Sequence, residues 1–173
     1  MAKSYGYFKD QAIAYILRDN PSIIVDVWAG DGGYSDLLKV AWYKGTTIWV
    51  EIYRPYIEKY GLKDKYDFIV NDDICNVDGF KDYKADVFIL GDILEHITTD
   101  KAIPLVEKLY NEANDYIIAV PYLYEQGEHE GNIYETHHQP DLTHEVFMER
   151  YGKRCELLVN NELVGYYVKK SWN

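Results

Sequence analysis

The sequence predicts a three-layer α/β fold with a seven-stranded, mainly parallel sheet and a C-terminal antiparallel hairpin. Two observations predict this class: short β-branched runs alternate with segments of helical periodicity, and the last two apolar runs follow each other with no helix between them. Alternating strands and helices form right-handed crossovers, which make neighbouring strands parallel. A length of 173 residues suits one domain over residues 1–173.

The strands are predicted from apolar runs bounded by turn residues. Residues 22–27 form a run rich in β-branched side chains, which is typical of a strand buried on both faces. Asn160 and Asn161 indicate the turn of the closing hairpin. The other predicted strands are 46–52, 68–70, 86–90, 116–120, 155–159 and 163–168.

Five helices are predicted between these strands, and Gly and Pro indicate most of their ends. Pro21 ends the first helix and Gly45 the second, while Pro55 suits the first turn of the third. Asp100 is expected to cap the fourth helix, with Pro104 in its first turn. The predicted ranges are 8–18, 34–43, 55–60, 100–113 and 142–151.

Composition limits the possible partners. The net charge is −11, and no Lys/Arg cluster exceeds a pair, so we do not expect a nucleic-acid partner. No apolar run is long enough to cross a bilayer, and no signal peptide is visible, which predicts a cytoplasmic protein without a membrane partner. Cys75 and Cys155 are expected to be separate thiols. The 18 tyrosines in a short chain are compatible with a homodimer.

A glycine-rich loop follows the first predicted strand. It includes Trp28, Gly30 and Gly32 and leads into a helix whose first N–H groups are free to bind a carboxylate or a phosphate. Taken alone, this pattern also fits a plain tight turn.

Acidic residues follow the next three strands. Glu51 lies 19 residues after Gly32, where a carboxylate can accept both hydroxyls of a ribose and repel the 2′-phosphate of NADP. Asp73 can accept the exocyclic amine of adenine, with the backbone of Ile74 reaching a ring nitrogen. Asp92 can hold a ligand ammonium, and His96 is a candidate base. Each also has a structural interpretation: a solvated strand-end charge, a turn, or a surface histidine.

Together these segments resemble the class I, Rossmann-like S-adenosylmethionine-dependent methyltransferases. The acidic-x-Gly-x-Gly-x-Gly motif of that family is matched by Asp26, Trp28, Gly30 and Gly32. Three further motifs follow in order at Val50-Glu51, Asp73-Ile74 and residues 91–96, so that the resemblance covers residues 22–120.

This resemblance implies S-adenosylmethionine as the cofactor and a methyl transfer as the reaction. Gly30 and Gly32 would flank its methionine portion, Glu51 would hold the ribose, and Asp92 would lie near the sulfonium or amino group. Asp73 and Ile74 would hold the adenine. Because the sulfonium already activates the methyl group, the protein mainly positions the reactants and excludes water.

Two tryptophans depart from the family pattern. Trp28 stands where the family has its first glycine, and Trp49 stands where a small residue is common. The alternative function is therefore a methyltransferase-like binding or assembly protein that has lost its cofactor.

The segment 121–140 is long for a connection in so small a domain, and long loops tend to be functional. It is similar to a loop in small bacterial and viral methyltransferases of undefined substrate. Gln126 and Asn132 are candidates for binding a small-molecule or peptide acceptor, and Glu135 and His137 join His96 as candidates for acid/base catalysis.

The same loop leaves two other interpretations open. It can be a plain polar surface loop, or its histidines and carboxylates can serve a metal-dependent enzyme. Because no two of these histidines fit a strict metal-binding spacing, no residue is assigned to a metal. The residues considered are His129, Glu130, Glu135, His137, His138 and His144.

Overall fold

The computed structural model describes residues 6–28, 30–77 and 80–171 and confirms the predicted α/β architecture. One seven-stranded sheet has the order β3-β2-β1-β4-β5-β7-β6. The first five strands are parallel, and β7 lies antiparallel between β5 and β6. The strands are β1 (Ile23–Val27), β2 (Thr46–Val50), β3 (Phe68–Val70), β4 (Val87–Gly91), β5 (Asp115–Pro121), β6 (Cys155–Asn160) and β7 (Val164–Lys169).

Five α-helices connect or flank the strands, close to the predicted positions. Single turns of 3₁₀-helix are added at Leu62–Asp64, Phe80–Tyr83, Leu94–His96 and Ile133–Glu135. The α-helices are α1 (Lys9–Leu17), α2 (Gly33–Val40), α3 (Pro55–Lys59), α4 (Thr99–Glu112) and α5 (His144–Tyr151).

Three predicted helix features are wrong. α2 ends at Val40 rather than Tyr43, because Trp42 adopts a left-handed conformation with φ 60°. Asp100 is not the N-cap of α4, since the helix begins at Thr99 and Asp100 lies in its first turn. Pro104 lies inside α4 rather than in its first turn, and its missing N–H is tolerated because this position is exposed to solvent.

Apolar side chains cover both faces of the sheet, as expected for parallel strands between two helical layers. One face packs against α4 and α5 and the other against α1 and α2. Cys75 and Cys155 are free thiols, as predicted. Among the residues described, no helix is both long and apolar enough to span a bilayer.

Candidate functional site

A shallow pocket lies at the carboxyl ends of the central parallel strands. The strand order reverses between β1 and β4, which is where open α/β sheets bind ligands. Three of the predicted cofactor residues line this pocket, namely Trp28, Asp73 and Ile74. The full lining is Val27, Trp28, Val50, Ile52, Asp72, Asp73, Ile74, Ile93 and Ile97.

Glu51 follows β2 directly, and its side chain is buried. One carboxyl oxygen, Oε1, accepts the Tyr53 backbone N–H at 2.6 Å. The other, Oε2, has no hydrogen-bond partner within the described ranges. Burial raises the pKa of Glu51 to about 8, and the nearby Glu135 charge adds to this effect. Glu51 is therefore not a solvated strand-end charge, and one of its two carboxyl oxygens is unpaired among the described residues.

Asp73 and Ile74 form the pocket wall after β3. Asp73 Oδ1 accepts the Cys75 N–H at 2.9 Å, which is a local turn contact. Ile74 is 4% exposed and packs into the core below. This segment is therefore a turn that also lines the pocket.

The glycine-rich loop needs its glycines for backbone conformation. Gly30 and Gly32 have φ values of 54° and 84°, a region that ordinary side chains rarely adopt. The space beside Gly32 is filled by a side chain of the protein rather than left for a ligand, because a Cβ at Gly32 would lie 2.6 Å from Lys65 Cδ. Neither glycine lines the pocket described above.

Asp26 is a buried carboxyl inside β1 rather than an exposed contact. Its Oδ2 accepts the Tyr66 hydroxyl at 2.6 Å, and it is 1% exposed. Burial raises the pKa of Asp26 to about 7, although the hydrogen bond from Tyr66 and the charge of Lys9 oppose this shift. The hydrogen bond therefore joins β1 to Tyr66, which lies two residues before β3.

Gly91 at the end of β4 gives close packing rather than open space. A Cβ there would lie 2.6 Å from the ring of Tyr34, so this ring fills the space that the glycine leaves. Asp92 has φ 54°, and its N–H donates to the Ala119 carbonyl at 3.0 Å. This turn directs the chain from the sheet edge into the 3₁₀ turn that contains His96.

Trp28 faces the cleft and meets the long loop. Its indole stacks on the His96 ring at a centroid distance of 5.2 Å and an interplanar angle of 4°. Tyr134 packs edge-on against it at 6.4 Å. The indole thus forms a wall between the pocket and the loop after β5.

Trp49 does not belong to the site. It is fully buried on the opposite side of β2, where it stacks on Tyr66 at 5.9 Å and packs with Tyr56 and Leu62. The Trp49 indole fills the core beneath α3. A tryptophan at this position therefore does not reduce the space available to a ligand at the pocket.

The long loop after β5 brings Gln126 and Glu135 together. Gln126 Nε2 donates to the backbone carbonyl of Glu135 at 2.8 Å and to Glu135 Oε2 at 3.1 Å. Tyr56 from α3 donates its hydroxyl to Glu135 Oε1 at 2.8 Å. Asn132 is fully buried, and its side chain caps the following turn by accepting the Tyr134 N–H.

His96 and His137 meet edge to face, with ring centroids 4.5 Å apart. His137 Nδ1 lies 2.7 Å from the Tyr124 carbonyl oxygen. Because a carbonyl oxygen can only accept a hydrogen bond, Nδ1 is the donor. Burial lowers the pKa of His96 to about 3, and it also lowers the pKa of His137. Neutral His96 is consequently a poor base near pH 7, and His137 is the better candidate.

The candidate metal ligands of the long loop and α5 do not come together as one group among the described residues. His144 stacks on Tyr167, and Glu130 pairs with Lys59 on α3. Within the described part of the chain, the one grouping with metal-ligand proximity joins His137 to His96 and Glu95.

Sequence reasoning missed Glu95, Tyr56 and Tyr124 as members of the site. Glu95 stands beside His96, but nothing local shows that the loop returns to it 43 and 44 residues later, at His138 and Gln139. Its carbonyl accepts the N–H groups of His138 and Gln139 at 2.7 and 3.0 Å.

Comparison with solved structures decides the fold. The chain is similar to an S-adenosylmethionine-dependent methyltransferase from Clostridium acetobutylicum, with a TM-score of 0.68, 14% identity and coverage of 97% of this chain and 92% of the other. It is also similar to the small RNA methyltransferase HEN1, with a TM-score of 0.66 and 16% identity. Its fold is that of the class I methyltransferases.

The coverage of these relatives differs. The match to HEN1 covers 94% of this chain but only 25% of HEN1, so the chain spans about a quarter of that protein. A match to Synechocystis magnesium protoporphyrin IX methyltransferase, crystallised with bound SAM, has a TM-score of 0.59, 14% identity and coverage of 93% and 77%. No protein-family model and no curated protein matches the sequence.

Proposed function

We propose that this protein transfers a methyl group from S-adenosylmethionine to a small-molecule or peptide acceptor. The observation that carries the proposal is the pocket at the carboxyl ends of β1 and β2, where Trp28, Asp73 and Ile74 form one wall. These residues follow the first and third strands in the order that the resemblance implies, and the chain has the fold of solved methyltransferases.

The residues present fit the proposed cofactor. Glu51 does not itself line the pocket, but its buried Oε2 finds no partner in the part of the chain that the structure describes, and a ribose hydroxyl that reached it would satisfy it. The neighbours of Glu51 in sequence, Val50 and Ile52, line the pocket and would face an apolar base edge. Asp73 remains at the wall as an acceptor for an exocyclic amine.

The acceptor would lie under the long loop. The bound cofactor supplies a methyl group already activated by its sulfonium, and the acceptor nucleophile that receives the methyl group loses a proton. His137 can take that proton at Nε2, because Nδ1 donates to Tyr124. Gln126 and Tyr56 hold Glu135 in place, and Asn132 shapes the adjoining turn, so that the loop can position the acceptor.

The exposed side chains at this edge favour an apolar or uncharged acceptor. Leu123 is 71% exposed, Ile133 62% and Tyr134 41%, all in the loop that borders the cleft. The net charge of −11 disfavours a polyanion such as RNA. A small molecule or a peptide side chain fits both features.

Calorimetric titration with S-adenosylhomocysteine tests the cofactor assignment. We expect one site per chain, with weaker binding by Asp73→Ala and unchanged binding by Asp67→Ala, a carboxylate that caps β2 away from the pocket. Absence of binding at millimolar ligand would contradict the proposal.

A second candidate function rests on Trp28 alone. If the indole blocks the site, the protein is a methyltransferase-like binding module, and Trp28→Gly should create affinity for S-adenosylhomocysteine that the parent lacks. Binding by the parent excludes this alternative. Trp49 no longer supports it, because its side chain lies in the core beneath α3.

A further inference from the structure

Three potential metal ligands converge beside the cleft. Glu95 and His96 come from the 3₁₀ turn after β4, and His137 comes from the far end of the long loop. Each residue offers one ligand atom, and these atoms all lie within 4.8 Å of one another. Distances of this size allow one ion to contact all three after small side-chain movements.

Two of these side chains are buried with polar atoms left unpaired. Glu95 is 1% exposed, and its Oε2 has no hydrogen-bond partner among the described residues. The His96 side chain is 6% exposed, and its Nδ1 likewise lacks a partner in that set. Unpaired buried polar atoms are costly, so a ligand that binds either atom would reduce that cost.

The third side chain is already oriented as metal-binding histidines usually are. His137 Nδ1 donates to the Tyr124 carbonyl, which leaves the lone pair on Nε2. Histidines that bind metals commonly donate their other ring N–H to a carbonyl or a carboxylate in this way. The two chain segments are also fixed to each other, because the Glu95 carbonyl accepts the N–H groups of His138 and Gln139.

Two of the three side chains already lie next to each other. His96 Nε2 is 3.9 Å from Glu95 Oε1, and both side chains are buried.

We propose that Glu95, His96 and His137 bind a divalent cation of the zinc class. Two imidazoles and one carboxylate suit Zn²⁺, Co²⁺ or Fe²⁺, whereas Mg²⁺ and Ca²⁺ prefer oxygen ligands. Three protein ligands leave at least one coordination position for water or for an oxygen of a bound molecule. In the loaded protein, His137 Nε2 is a ligand and cannot also be the base.

The test of this site does not depend on the methyltransferase proposal, because cation binding is measured without cofactor or acceptor. Protein purified without a histidine tag and stripped with a chelator is titrated with Zn²⁺ by calorimetry and with Co²⁺ by visible absorption. We expect one equivalent of each ion and absorption bands typical of Co²⁺ bound by nitrogen and oxygen. Mg²⁺ should bind far more weakly.

Variants locate the ion. His137→Ala and Glu95→Gln should weaken Zn²⁺ binding by more than about 100-fold, since even supporting residues of metal sites contribute 10–100-fold. His138→Ala is the matched control, because it removes an exposed histidine one residue away and should leave the affinity unchanged. Circular dichroism and thermal melting confirm that each variant is folded.

Several results would overturn the proposal. The proposal is overturned without any variant if the wild-type protein binds neither Co²⁺ nor Zn²⁺ in a one-to-one ratio, or if it binds Mg²⁺ as tightly as Zn²⁺. Equal loss of affinity in the His138→Ala control and in the triad variants would place the ion elsewhere. If a triad variant fails to fold, the wild-type Co²⁺ spectrum still decides whether nitrogen ligands are present.

Discussion

Cofactor affinity should depend on the ionisation of Glu51. The pKa of this carboxyl is raised to about 8, so the free protein holds it mostly protonated at neutral pH. Ribose hydroxyls donate to the ionised form, and binding therefore requires loss of the proton. Affinity for S-adenosylhomocysteine should rise with pH until the pKa of the free protein is passed.

The size of this effect follows from the pKa. With a value of about 8, the ionised fraction is about 1% at pH 6 and about half at pH 8, so the Kd should fall by about 50-fold, equivalent to about 2.3 kcal/mol. Glu51→Gln carries a neutral amide at every pH. Its affinity should be independent of pH and close to that of the wild type at pH 6.

Calorimetry measures both quantities. Titrations at pH 6, 7 and 8 give the slope, and titrations in two buffers of different ionisation enthalpy give the protons released on binding. The wild type should release nearly one proton per ligand near pH 6.5, and Glu51→Gln should release none from this group. Parallel pH profiles for the two proteins, both folded by circular dichroism, would refute the reasoning.

Other predictions concern stability. The pKa of Asp26 in the folded chain is raised to about 7, so the folded chain keeps a proton that the unfolded chain loses above about pH 4. The free energy of unfolding therefore falls as the pH rises from about 4 to 7, by up to about 4 kcal/mol. Asp26→Asn should flatten this dependence and raise the Tm at pH 8, and an unchanged slope in denaturant titrations would contradict the assignment. Trp49→Ala should lower the free energy of unfolding by about 3–5 kcal/mol through the cavity it leaves, measured in urea, whereas Trp49→Phe should cost less. Gly91→Ala should lower the Tm, because its Cβ would displace the Tyr34 ring, and Tyr34→Leu should reduce that loss in a double-mutant cycle.

The fold could be predicted because it depends on local patterns. The β-branched run before Asp26 marks a buried strand, and Pro55 marks the first turn of α3, where the structure places it. The early end of α2 could not be predicted in this way, because Trp42 takes a left-handed conformation that its residue type disfavours.

The site was harder to predict because it depends on which face a side chain takes and on distant contacts. Period-two alternation along β2 offered one usable signal: Val50 packs with Val25 and Val27 of β1, so the preceding Trp49 must face the other way. Nothing comparable links Glu95 to His137, since that contact requires the whole loop to fold back over β4.

The attachment of the long loop has a consequence for how such proteins diverge. Its base is closed by main-chain contacts, from Leu123 to the Leu142 carbonyl and from His138 and Gln139 to Glu95, which tolerate changes of side chain. Its tip, a tight turn at Glu130 and Gly131, is exposed, closed by backbone hydrogen bonds between His129 and Asn132, and joined to α3 by the ion pair of Glu130 with Lys59. Substitutions or grafted segments at the tip therefore leave the main-chain hydrogen bonds at the base of the loop in place. New specificities can be selected there without changes to the rest of the domain.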